Sequence, residues 1–339
     1  MTKAFLAAAL VFVLVQVPAT SFAAARFERV SDHCYCFQST EGGGNVGAVV
    51  TDEGVVIIDP PPEPALSAAA EALKKLTSKA VRWAVFTSPS RIGEENARYY
   101  SGQGAVLVAS AQLYGLYASS NGDSKAAGPE ARGGNPAKLQ DASWFIFDRQ
   151  MRLFLANLEV RIVALQPKSR TGGDVFVFVP AEKVLFVGGL YEPARYPDID
   201  VALGGNADGW IEGLSQVVDS VPLLKAAIPA AKPLPKSAPK PAAKPEKKPA
   251  AKPEEAEDDE EKALEESIAI VSVSGNASNL REMKDMLQTS RKLRNDIARS
   301  ARTGGSCENF LASSRSGAYR NFSNLDSYAC RLFEALRRK

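Results

Sequence analysis

The sequence predicts a mixed α/β core, then a charged proline-rich tract and a small helical section. Three observations predict it. Short β-branched runs alternate with stretches of helical period up to about residue 224, the composition then changes abruptly, and an amphipathic section closes the chain. With 339 residues, 45% hydrophobic and 24% charged, the chain lies in the ordinary globular range, which excludes a wholly disordered, collagen-like or multi-span membrane protein. Lys+Arg number 41 against 39 Asp+Glu, so no overall field favours nucleic acid, and no nucleic-acid partner is expected. One histidine, His33, leaves almost nothing for imidazole metal sites, His-based triads or proton shuttles.

Residues 1–25 read as a secretory signal: Lys3, an apolar run from Ala4 to Val17, then Pro18 and the small residues Ala23-Ala24-Ala25 before Arg26. The apolar run falls short of the roughly 20 residues that span hydrocarbon. A periplasmic or secreted protein with no transmembrane span after cleavage is therefore expected. The core follows over 26–233. Strands are predicted at Gly47–Val50, Val55–Asp59, Val81–Thr87, Ala105–Ala109, Val160–Leu165, Asp174–Val179 and Lys183–Val187, and helices at Pro64–Leu76, Glu94–Tyr100 and Asp208–Val221. Asn121–Asn135, rich in Gly, Ser and Ala, reads as a long exposed loop.

Residues 234–261 are expected to form a disordered linker, Lys-Pro-Ala-rich and then acidic from Glu254 to Glu261. In 262–339, Met283, Met286, Leu287, Leu293 and Ile297 recur at near-helical spacing, with a second apolar set from Phe310 to Leu336. A short helical bundle with a basic excess is expected, a surface suited to cell-envelope contact. An exported chain keeps its cysteines in an oxidising compartment. Cys34 and Cys36 are too close along a strand to pair comfortably, so Cys307–Cys330 is the expected disulfide.

The order of landmarks in the core resembles the metallo-β-lactamase superfamily, in particular its exported quinoprotein-relay-like hydrolase branch. They are Asn45-Val-Gly-Ala-Val-Val-Thr-Asp-Glu-Gly54, Val55-Val-Ile-Ile-Asp59, Val81-Arg-Trp-Ala-Val-Phe-Thr87, Thr171-Gly-Gly-Asp174, Lys183-Val-Leu-Phe-Val-Gly188, Arg195-Tyr-Pro-Asp-Ile-Asp200 and Gly209-Trp210-Ile211. The resemblance implies an αββα sandwich of α/β (α+β) class, with two mixed sheets and helices on the outer faces. It also implies a zinc site that generates hydroxide for hydrolysis. The family's metal ligands, however, fall on Ser88, Ser90, Ile92, Gly93, Arg170, Gly189 and Ala231, none a zinc donor of the usual kind. A metal-free pseudoenzyme is the expectation, with no cofactor and no catalytic residue.

The former cleft is expected to be lined by Asp59, Ser88, Ser90, Glu94, Arg170, Thr171 and Tyr191 and to bind a ligand or partner. Arg170 offers either bidentate recognition of an anion or a salt bridge to a residual acid such as Asp59. A nucleophilic Ser88 or Ser90 lacks a histidine base, and no Ser-x-x-Lys spacing joins either to a lysine. Glu94 and Glu95 read as helix-opening acids. The cluster His33-Cys34-Tyr35-Cys36 places its two cysteines on one strand face and its histidine on the other, so three donors do not converge. Gly42-Gly43-Gly44 is a turn without the context of a phosphate loop. The alternative function is a divergent hydrolase of an ester, thioester or lactam using Asp59, Glu94 and Asp174. A third reading places the function in 262–339 alone.

Overall fold

Val55, Val56, Ile57 and Ile58 are all buried, and a strand covered on both faces belongs in the interior of a layered fold. The computed structural model describes residues 26–39, 42–119, 139, 141–226 and 262–337, without the side chains of 222–226. The signal expected at 1–25, the loop expected at Asn121–Asn135, the linker expected at 234–261 and Ala231 lie outside the described residues.

The first sheet has seven strands in chain order. They are β1 (Phe27–Arg29), β2 (Cys34–Phe37), β3 (Val46–Thr51), β4 (Gly54–Ile58), β5 (Val81–Val85), β6 (Val106–Ser110) and β7 (Trp144–Phe147). β1 to β4 run antiparallel through short connections, and β4 to β7 run parallel. Parallel neighbours need crossovers, which α1 (Ala65–Leu76), α2 (Glu94–Gly102) and α3 (Ala111–Ser119) supply. Helix α1 buries Leu66, Ala69, Ala70 and Leu73, the i, i+3, i+4, i+7 stripe that its sequence displays.

The second sheet has six strands in the order β13-β12-β11-β10-β9-β8. These are β8 (Gln150–Leu155), β9 (Leu158–Ala164), β10 (Val175–Val179), β11 (Val184–Gly188), β12 (Ala269–Ser272) and β13 (Ser278–Asn279). The pleat of β10 divides its side chains. Val175, Val177 and Val179 join the core shared with the first sheet, while Phe176 and Phe178 join a second core on the outer face. That second core is completed by α4 (Ala207–Ala226), α6 (Leu280–Arg302), α7 (Cys307–Ala312) and α8 (Leu325–Arg337). The expected helix–sheet–sheet–helix layering is present.

The C-terminal section carries the expected helices and also two strands that composition did not suggest. A short helix over 262–267 (α5) leads into β12, which pairs parallel with β11, Leu185 opposite Ile270. Ile268 and Ile270 enter the outer core and Val271 the inner one. α6 buries Met283, Met286, Leu287, Leu293 and Ile297 as its period requires, and packs against α4 and α8. Cys307 and Cys330 form the expected disulfide between α7 and α8, their Cα atoms 5.2 Å apart. Cys34 and Cys36 are buried free thiols on one face of β2, and burial pushes both up to about 12. His33, on the other face, meets the Glu182 carboxylate at 2.6 Å.

Candidate functional site

In open sheets with parallel strands, ligands gather in the crevice beyond the carboxyl ends of the strands. Here the ends of β4, β5, β11 and β12 meet at one place, stitched together by backbone hydrogen bonds. The Val175 N–H donates to Thr87 at 2.7 Å, the Asn45 N–H to Val273 at 2.6 Å, and the Val273 N–H to Gly188 at 2.8 Å. These bonds join the two sheets and fix the floor of the crevice.

Asp59 ends β4 with φ +53°, an uncommon conformation for a residue with a side chain. Its buried carboxylate accepts the Thr87 N–H at 2.8 Å and the Thr87 hydroxyl at 2.5 Å. Gly188, at φ +53°, packs against the same pair, and a Cβ there would lie 1.9 Å from Thr87 Oγ1, so only glycine fits. Asp174 repeats the device, accepting the N–H and hydroxyl of Thr171, each at 2.7 Å. Burial pushes both carboxyls up from their ordinary range. Arg91 and the Thr87 bonds pull Asp59 the other way, and the Thr171 bonds do so for Asp174.

Arg91 closes a single turn, Pro89–Arg91, between β5 and α2. Its buried guanidinium donates to the carbonyls of Gly43, Asn45 at 3.2 Å and Asp59 at 2.5 Å, and lies 3.9 Å from the Asp59 carboxylate. Asn96 fixes the turn from below, donating to Pro60 at 2.7 Å and to Arg91 at 3.0 Å while accepting the Gly93 N–H at 3.0 Å. Arg170 lies over Gly189, where a Cβ would come within 3.2 Å of the guanidinium. The space that an aspartate at 189 would take is taken by that guanidinium.

Above this floor opens a cavity of about 420 Å³. Its wall includes Ser88, Ser90, Arg91, Arg170, Glu192 and Arg195, with Asp198 and Ser274 at one side. Ser88 and Ser90 place their hydroxyl oxygens 3.1 Å apart. Arg195 pairs with Asp198 at 2.5 Å and Glu192 at 3.5 Å, and Glu192 also accepts the Ser274 hydroxyl at 2.7 Å.

Of the residues expected in the cleft, Ser88, Ser90 and Arg170 line it, and Asp59 lies beneath, held by Thr87 and Arg91. Thr171 is buried against Asp174 and does not reach the cavity. Glu94 opens α2 on the surface and pairs with Arg98 at 2.8 Å, in keeping with a helix-opening acid. Tyr191 is buried in the outer core, its hydroxyl 3.5 Å from Ser278. None of the three carboxylates of the hydrolase alternative, Asp59, Glu94 and Asp174, lines this cavity.

Sequence reasoning missed Arg91, Glu192, Arg195, Asp198 and Ser274. Arg91 follows Ser90 directly in the loop already singled out, and Arg195 and Asp198 lie in a quoted landmark, so a local signal existed for these three. Ser274 carried none, because it arrives with β12 from across the linker.

No family model and no curated protein matches the sequence. Solved structures do match. A metallo-beta-lactamase from Pontibacter korlensis superposes with a TM-score of 0.51 at 16% identity, over 79% of this chain and 99% of that one. The chain has the metallo-β-lactamase fold. The metallo-beta-lactamase FIM-1 from Pseudomonas aeruginosa, in its mono-zinc form, superposes at 0.51 with 15% identity over 79% of this chain and 95% of that one. The inverting sec-alkylsulfatase Pisa1 from Pseudomonas sp. superposes at 0.58 with 12% identity, over 93% of this chain and only 50% of that chain. Both metallo-beta-lactamase superpositions exceed the share of the chain that 26–233 represents, so the likeness is not confined to that stretch.

The residues present do not fit the zinc that the metallo-β-lactamase fold implies. Zinc takes imidazole, thiolate or carboxylate donors, and the cleft offers three hydroxyls, three guanidinium groups and only two carboxylates, Glu192 and Asp198, both paired with Arg195. The buried carboxylates of Asp59 and Asp174 are not part of its lining and are bonded to Thr87 and Thr171. Among the described residues no group of three or more His, Cys, Asp or Glu side chains is arranged to hold a metal.

Proposed function

We propose that the chain is an exported, non-catalytic binding or scaffold protein that uses the former metallohydrolase cleft for a ligand or partner. The observation that carries this reading is the pair Arg91 and Arg170. Two guanidinium groups line one cavity, and Arg170 falls on a position where the family resemblance implies a zinc ligand. A guanidinium repels a dication and neither accepts a proton nor attacks a carbonyl, so the exchange removes the hydrolytic chemistry and keeps the recess. Fold alone carries no activity, and a scaffold persists where packing demands it. Export is supported by the leader-like residues 1–25 and by the Cys307–Cys330 disulfide, a bond that persists in oxidising compartments. No helix among the described residues is long and apolar enough to cross a membrane.

The test is elemental analysis of the mature protein after export and dialysis against a weak chelator, together with assays on ester, thioester and β-lactam substrates. Zinc, iron, manganese and copper each below about a tenth of an equivalent, without turnover, is the expected result. One or two equivalents of any of them, or turnover abolished by chelation, overturns the reading.

A further inference from the structure

We infer that this cavity takes a small oxyanion, a carboxylate, phosphate or sulfate group on a compact ligand, held by the Arg170 guanidinium and the Ser88–Ser90 hydroxyl pair. The inference rests on the binding reading above and names its ligand class. Two hydroxyls 3.1 Å apart share one hydrogen bond, in which one donates and the other accepts, and the accepting hydroxyl keeps its own proton to donate elsewhere. A guanidinium is donor-only, with a planar fork matched to an oxyanion. This stretch of wall therefore presents donors to whatever enters.

Several charges around the cavity engage one another. Arg195 is matched by Asp198 and Glu192, and Glu192 accepts from Ser274 as well. Arg91 directs its donors at the carbonyls of Gly43, Asn45 and Asp59. Asp59 and Asp174 attract Arg170 electrostatically, but both are buried beneath the wall and bonded to threonines, so they do not compete for space inside the cavity. Gly189 lets the guanidinium lie flat against the backbone. A side chain fixed in this way loses less freedom on binding.

The experiment titrates inorganic phosphate, sulfate and acetate separately into the full chain by calorimetry and thermal shift, at constant ionic strength maintained with chloride. Saturable one-to-one uptake of at least one oxyanion is expected. It weakens about tenfold or more in Arg170→Gln and measurably in Ser90→Ala, and is unchanged in Arg320→Gln, which removes an exposed positive charge elsewhere. Preference for phosphate or sulfate assigns a tetrahedral group, and preference for acetate a carboxylate. Ser90 is only half-buried, so its variant keeps the test decisive if Arg170→Gln fails to fold. No saturable uptake above chloride, or uptake that Arg170→Gln and Ser90→Ala leave untouched, overturns the inference. If the protein also carries no metal and turns over no substrate, the binding reading stands without this ligand. Stoichiometric zinc removes both.

Discussion

The Arg91 guanidinium donates to the Asp59 carbonyl at 2.5 Å and stands 3.9 Å from the carboxylate of the same residue. It also bonds the carbonyls of Gly43 and Asn45, so one side chain ties the glycine turn before β3 to the end of β4 and to the loop after β5. A metal centre joins loops in the same manner, and here a fixed organic cation does so. Removing one partner of a buried ion pair leaves the other charge without compensation. Arg91→Met is expected to lower unfolding stability by about 3–5 kcal/mol in denaturant titrations. Arg91→Lys is expected to recover little of it, because an ammonium cannot reach three carbonyls in one plane. Chelator is expected to leave the wild-type midpoint unchanged.

Arg294 of α6 pairs with Asp208 in the first turn of α4, and the aspartate is buried. The helix N-terminus favours that charge, and Arg294 adds to its compensation. Arg294→Met is expected to cost about 1–3 kcal/mol, less than a fully buried pair because the arginine is partly exposed. In a double-mutant cycle with Asp208→Asn the losses are expected to be less than additive. Additivity would show that the contact contributes nothing between α4 and α6.

The cysteines divide by chemistry. Cys34 and Cys36, with pKa values pushed up to about 12 by burial, stay protonated at neutral pH, so the native chain is expected to resist iodoacetamide and to release two thiols on unfolding without reductant. Rapid labelling of the native protein would contradict this. Cys307 and Cys330 close a loop across 23 positions, and Cys307→Ser with Cys330→Ser is expected to destabilise the chain by about 3 kcal/mol.

Glu182 bridges to the His33 ring at 2.6 Å and accepts the His33 N–H at 3.2 Å. Burial pushes its carboxyl up, but bonds from Ser31 and His33 outweigh this and hold it below its ordinary value of 4.5. A carboxyl depressed in the folded state stabilises fully above its unfolded value, and the contribution fades as pH falls through the lower folded value. Glu182→Gln is therefore expected to lower stability at pH 7 and to flatten the acid limb below about pH 4.5, measured by denaturant unfolding across pH. An unchanged acid limb would remove Glu182 from the linkage.

Much of the fold is local and was legible. Continuous apolar runs mark β4, β10 and β11, which are buried on both faces, and a period of 3.6 marks α1 and α6, each meeting its core with one repeating stripe. The mismatch with zinc donors is read through the family resemblance, which puts Ser88, Arg170 and Gly189 at ligand positions. Edge strands β7 and β8 were not legible, since Phe145 and Phe154 are exposed and break the alternation.

What the sequence determined by itself is the succession of core strands and helices and the Cys307–Cys330 pairing, because these follow from residue type and short-range spacing, while the layering was implied by the family resemblance. What only the tertiary structure decided is that the C-terminal section completes the second sheet, and which side chains the cleft assembles. Pairing β12 with β11 joins residues about 85 positions apart, and Ser274, Glu192 and Arg195 meet only once that pairing is made. No periodicity encodes the pairing. It follows from burying Ile268, Ile270 and Val271 against two cores at once.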